Sequence, residues 1–260
     1  MDVPSLQTAI PWHDVLVGAG VCARMTAAVC TGTLPILEGV SFRIRAALSL
    51  ALAVVAAPLA WRGAAIDPGA SPVLLLAGEA VVGLAAGTAM AAVLMATGWA
   101  GGILGSVSGL SWADDFSPAG DPQAAGVARL AWWIGLAAFL AAGGQLTVVG
   151  GLVDSVLQIP VGSLGSATGR ESLLRLAVAM PTVAISLAVS LAIPALAAVL
   201  AFHLAAVFCL RTATFSPAPG FLQSLAALVL LGGLWLGLDT WMHGGPAMML
   251  GSIADFFTHR

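Results

Sequence analysis

Between Leu176 and Leu210 the chain runs for 35 residues without an Asp, Glu, Lys or Arg. Such a stretch has no water-facing side. Amphipathic helices and half-buried strands both need a polar face, so this segment belongs inside lipid or against other protein. It has companions. Val15 to Leu34 carries one charge, Arg24, and Ala46 to Trp61 carries none. Val73 to Val107 carries Glu79 and fades through many glycines; Leu130 to Val153 and Phe221 to Leu238 follow, then a short apolar piece from Pro246 to Phe257. Of the 260 residues, 60% are hydrophobic and 8% charged, whereas a soluble domain carries roughly 25% charged residues. So few charges cannot cover a surface in water. The class is an all-α polytopic membrane protein. A formal net charge of −3 excludes nucleic acid as a partner, since that needs a basic footprint.

A bilayer-spanning helix needs about 20 apolar residues. The runs therefore predict about six long apolar helices in a single membrane domain covering residues 1–260. The fifth run stands apart. As one helix it would extend about 52 Å against roughly 30 Å of hydrocarbon. That is too long for one upright crossing and too short for two with a turn. Pro181 and Pro194 predict kinks. The expectation is a long, bent or tilted helix, partly outside the lipid or packed against other subunits.

Small residues recur at four-residue spacing in Gly83/Gly87, Gly98/Gly102, Gly101/Gly105, Gly105/Gly109 and Gly233/Gly237. This spacing lets helix backbones approach closely. The dense run from Gly98 to Gly109 is either a tight packing seam or not a regular helix. Orientation stays open, because with six spans the pairs Arg43/Arg45 and Arg170/Arg175 fall on opposite sides. The start, MDVPSLQTAIPWHDVL, has no basic region before its apolar part and does not read as a cleaved signal peptide. Cys22, Cys30 and Cys209 form no CxxC pair and read as small core residues.

The polar exceptions are the candidates for function. Glu79 sits among apolar neighbours, where an ionisable group is costly and by default functional. It is a proton relay or a buried structural carboxyl, with Arg24 and Arg129 as possible partners. His203 lies inside the fifth run and reads as a hydrogen-bonded core histidine. The scattered histidines form no HExxH, and GxSxG and Walker A patterns are absent too. No enzyme, metal or cofactor is expected. Between the third and fourth runs stands GLSWADDFSPAGDPQAAGVAR, Gly109 to Arg129, polar and helix-breaking. Asp114, Asp115 and Asp121 read as solvated or pore-facing charges rather than catalytic ones. Irregular backbone at membrane depth persists only where protein buries it or water bathes it. The insert is a candidate for pore lining or gating.

The order of these features resembles the FliR family of the flagellar type III export gate and its injectisome counterpart. VSFRIRAALSLALAVVAAPL is similar to the family's basic pair, here Arg43 and Arg45, leading to Pro58. LLLAGEAVVGLAAG matches its Glu and spaced glycines at Glu79, Gly83 and Gly87, and GLSWA its loop start at Gly109 to Ala113. DSVLQIPVG fits its serine-then-proline-glycine element at Ser155, Pro160 and Gly162; the fifth run matches from Pro194 to Arg211, with Pro217 after it. The chain departs from the pattern in four places. Ser117-Pro118, or Asp121-Pro122, stands for the family's Asp-Pro. Gly144-Gln145 stands where Gly-His is often found, His203 replaces an Asn, and TATFSPAPGFLQSL is unlike the corresponding family stretch.

The resemblance implies a non-enzymatic subunit packed as helical hairpins with FliP-like and FliQ-like membrane proteins, and with a FlhB-like subunit, in the bacterial inner membrane at the flagellar basal body. Unfolded substrates would pass through the assembly. The 109–129 loop would act as its plug, through Gly109, Leu110, Ser111, Trp112, Ala113, Phe116 and Pro118. Arg24, Glu79, Arg129 and His203 would be buried polar or ion-pair residues, and Gly83, Gly87, Gly98, Gly102 and Gly105 packing positions. The alternative is an autonomous small-molecule or ion transporter, with Glu79 and His203 on its path.

Overall fold

A computed structural model describes residues 12–31, 34–64, 66, 71–108, 126–212, 219–236 and 240–258. Among them the regular structure is helical: α1 (Trp12–Cys30), α2 (Phe42–Gly63), α3 (Pro72–Val107), α4 (Gly126–Ala141), α5 (Gly144–Gln158), α6 (Ala167–Thr212), α7 (Pro219–Leu236) and α8 (Gly245–Thr258). Short 3-10 turns lie at Pro35–Leu37 and Ser163–Gly165, and a π turn at Thr240–Gly244 precedes α8. Backbone polar groups without water must bond within their own segment, and helices do this. Hydroxyls inside these apolar helices bond back to carbonyls three or four residues earlier, as Thr88 does to Leu84 (2.9 Å) and Thr97 to Leu94 (3.0 Å).

The helices α1, α2, α3 and α6 are long and apolar enough to cross a membrane, and α4 with α5 makes a fifth span if the bent pair is counted as one. This is fewer than the six expected. Among the described residues, the break that changes the count lies in the fourth run. Leu130 to Val153, read as one crossing, breaks at Ala142 and Gly143. Gly143 has φ +82°, a left-handed conformation that favours glycine, and Gly144 lies against the Phe139 ring with no room for a side chain. The sixth run forms α7, whose apolar part among the described residues is Ser224–Gly233.

The third run is a regular 36-residue helix despite its glycines. The fifth lies in a 46-residue helix that continues through both Pro181 and Pro194. At 1.5 Å per residue these helices reach about 54 and about 69 Å, beyond the roughly 30 Å hydrocarbon layer.

The chain divides into two compact units. The first holds residues 1–90, 148–178 and 257–260; the second holds 91–147 and 179–256. In the first, α1 and α2 pack together, with the Cys30 thiol 3.9 Å from the Ser49 hydroxyl. Their connection is fixed by Arg45, which donates to the carbonyls of Leu37 (2.7 Å) and Val40 (3.0 Å). In the second unit, the end of α3 packs against α4, α4 packs against the π turn, and Gly233 of α7 packs against Ala195 and Ala198 of α6.

Candidate functional site

The charges in the first and third runs meet. Arg24 of α1 and Glu79 of α3 are each 1% exposed. The Arg24 Nε donates to Glu79 Oε2 at 2.8 Å, and Nη2 stands 2.5 Å from the same oxygen. Nη1 donates at 2.8 Å to the Ser155 carbonyl in the last turn of α5. That carbonyl also accepts from the Ile159 amide at 3.0 Å. A cation is favoured at a helix C-terminus, where carbonyls lack intrahelical partners. The other carboxylate oxygen, Oε1, accepts the Gly162 amide at 2.9 Å.

The partners of Glu79 and Arg24 come from the end of α5 and the link between α5 and α6. Ser163 donates its amide to the Pro160 carbonyl at 3.0 Å, and Gly162 holds φ 84°, ψ −5°. These values fit the third position of a type II turn, which requires φ > 0 and hence favours glycine. The turn aims the Gly162 amide at Glu79. Val161, beside it, is fully buried. Ser166 then caps α6, its hydroxyl accepting the Gly169 amide at 3.1 Å.

Two glycines let α1 and α3 come close enough for the pair to form. A methyl group added at Gly83 would fall on the Arg24 backbone carbonyl. One added at Gly20 would stand 2.9 Å from Val161 Cγ1 and 3.3 Å from Glu79 Cγ. The node thus joins α1, α3, the end of α5 and the following turn. A buried ion pair adds little net stability against an apolar isostere, but its hydrogen-bond partners fix a single register.

The second unit contains a separate glycine seam. Gly101 lies where an added methyl would be 2.5 Å from Ala131 Cβ and 2.8 Å from Ala128 Cα; Gly135 of α4 has no room beside Thr97. Gly98 and Gly105 make ordinary contacts, at 3.6 Å to Trp132 Cβ and 3.5 Å to Val127 Cβ. These pairings run antiparallel, so α3 and α4 form a hairpin. The dense glycine run is therefore a packing seam within a regular helix.

The anticipated site residues divide as follows. Arg24, Glu79 and Gly83 come together, and Gly87 is buried in α3. Arg129 is exposed in the first turn of α4, and Glu79 is held by Arg24 instead. His203 is also exposed rather than buried; its Nδ1 lies 2.9 Å from the Val199 carbonyl, and its ring meets Phe202 edge-on. Gly102 is not a packing contact, because nothing lies within 4 Å of an added methyl there. The reason is angular: Gly101 and Gly105 share the face toward α4 and Gly102 is turned about 100° away. Gly109, Leu110, Ser111, Trp112, Ala113, Phe116 and Pro118, with the three aspartates of the insert, lie outside the described residues.

Sequence reasoning did not name Gly20, and it met Ser155 and Gly162 only through the family resemblance, not as partners of the pair. Nothing local in Pro160-Val161-Gly162 ties that segment to Glu79, 83 residues away.

Long apolar helices around a buried ion pair define a multi-pass helical membrane protein. Residues 15–249 match the family model described as bacterial export proteins, family 1. The chain belongs to that family, the FliR family of export proteins, and is a component of bacterial protein export. No curated protein gives a significant match.

Proposed function

We propose that this protein is the FliR-like, non-enzymatic subunit of a flagellar-type III export gate in the bacterial inner membrane, at the flagellar basal body. It joins FliP-like, FliQ-like and FlhB-like subunits around a path for unfolded substrates. The observation that carries this reading is the family match across residues 15–249. Exposed apolar side chains along α6 support it, among them Ile185, Ile193, Leu200, Leu204 and Phe208. A helix much longer than the bilayer is thick must cover part of such a face with protein.

In this reading the 109–129 insert closes the path. Trp112 and Phe116 supply apolar bulk against ion flow, and Asp114 and Asp115 keep the open lumen hydrated. Autonomous transport is the weaker reading, because Glu79 is already engaged by Arg24 and the Gly162 amide.

The test is the native mass of the tagged protein, purified in mild detergent after co-expression with the small apolar membrane proteins encoded beside it. The expected result is one discrete large complex containing two such partners. A stable monomer or homodimer without them would overturn the proposal and direct attention to flux assays with Glu79 and His203 replaced.

A further inference from the structure

We propose that Glu79 secures the membrane insertion of α1: the first helix becomes a stable span only when α3 delivers the carboxylate that neutralises Arg24. This is independent of the export-gate reading and rests on the geometry of the first unit.

Of the four single-helix candidate spans, α1 is the least apolar. It has 19 residues and carries Arg24 well inside its length. A charged side chain in the middle of a helix is strongly disfavoured during insertion unless it reaches the interface or finds a partner. Arg24 does not turn toward an interface. Its guanidinium is buried and points sideways to Glu79 and the Ser155 carbonyl.

Chain order sets the sequence of events. The helix that follows first, α2, contains no Asp or Glu and cannot neutralise Arg24. Glu79 comes 55 residues after Arg24, and Ser155 comes 131 residues after it. Glu79 is therefore the first group in the completed node to become available. Gly83 stands one turn further along α3 and seats the Arg24 carbonyl, so the same helix brings both the charge and the close approach. Each charge removes the penalty of the other, and α1 and α3 enter stably as a pair.

The experiment uses the full-length chain with an N-terminal epitope, synthesised in the presence of inverted membrane vesicles. Protease accessibility reports on which side the epitope lies. For Glu79→Leu, the share of chains with the wild-type epitope placement is expected to fall at least twofold. Leucine makes α3 more apolar, so the loss would not reflect poorer insertion of α3. Arg24→Leu is expected to keep wild-type placement, and Arg24→Leu/Glu79→Leu to restore it. Placement is read on newly inserted chains, so variants that fail to complete folding still report. Wild-type placement in Glu79→Leu would overturn the proposal. So would a defect that the double variant fails to restore, because the effect would then not act through Arg24.

Discussion

Gly83 of α3 lies against the backbone carbonyl of Arg24, one helical turn beyond the Glu79 that holds the Arg24 guanidinium. Backbone contact and side-chain contact are thus made by the same two helices at the same crossing. Each depends on the other: a wider approach would pull the carboxylate away from Nε.

Gly83→Leu is therefore expected to be strongly destabilising and to lower the yield of assembled protein. Overpacking of this kind typically costs about 1–3 kcal/mol or more, and here the obstacle is backbone, which cannot rotate away. Gly102→Ala is the control, since its surroundings are open. Thermal unfolding in detergent, followed by size-exclusion chromatography, should separate the two.

The polarity of the ion pair is set by its backbone partners. Exchanging the charges, Arg24→Glu with Glu79→Arg, places a carboxylate against the Ser155 carbonyl and a guanidinium against the Gly162 amide. The exchanged protein is expected to be no more stable than either single variant. Arg24→Met alone should cost about 3–5 kcal/mol by leaving a buried carboxylate uncompensated, and Arg24→Met/Glu79→Met should recover much of this loss. Midpoints of denaturation for the four proteins test the point; full stability in the exchanged pair would contradict it.

Gly162→Ala should destabilise by about 1–2 kcal/mol, because an L side chain is disfavoured at the left-handed conformation of this turn. Asn, which tolerates that region better, is expected to cost less. A thermal shift smaller for Asn than for Ala would bear this out, and equal shifts would place the cost elsewhere.

Gly101→Val is expected to separate α3 from α4, where Ala128 and Ala131 leave no space, whereas Gly105→Ala should be close to neutral against a Val127 Cβ at 3.5 Å. Crosslinking of cysteines introduced at positions 98 and 132 would read the spacing directly. An unchanged crosslinking yield in Gly101→Val would count against the seam.

If the insert closes an export path, Trp112→Ala/Phe116→Ala should raise ion leak through assembled complexes several-fold in a vesicle conductance assay. Leak equal to wild type in correctly assembled complexes would remove these two residues from the proposed seal.

The sequence by itself determined the class and most of the helices. Apolar runs with few charges dictate helices in a membrane, since no other local structure satisfies the backbone there. It also marked Arg24 and Glu79 as the residues whose burial needed an explanation, and the ordered motifs from Arg43 to Arg211 pointed to the family. Tertiary structure alone decided the rest. It paired Glu79 with Arg24, brought the Ser155 carbonyl and the Gly162 amide to them, and separated tight Gly83 and Gly101 from open Gly102. It also bent the fourth run by 77° at Gly143, where a left-handed residue and the Phe139 ring end the helix. The physical reason is range. Helix type follows from composition within a few turns of chain, but hydrogen bonds across 55, 83 and 131 residues exist only once the helices have been brought together.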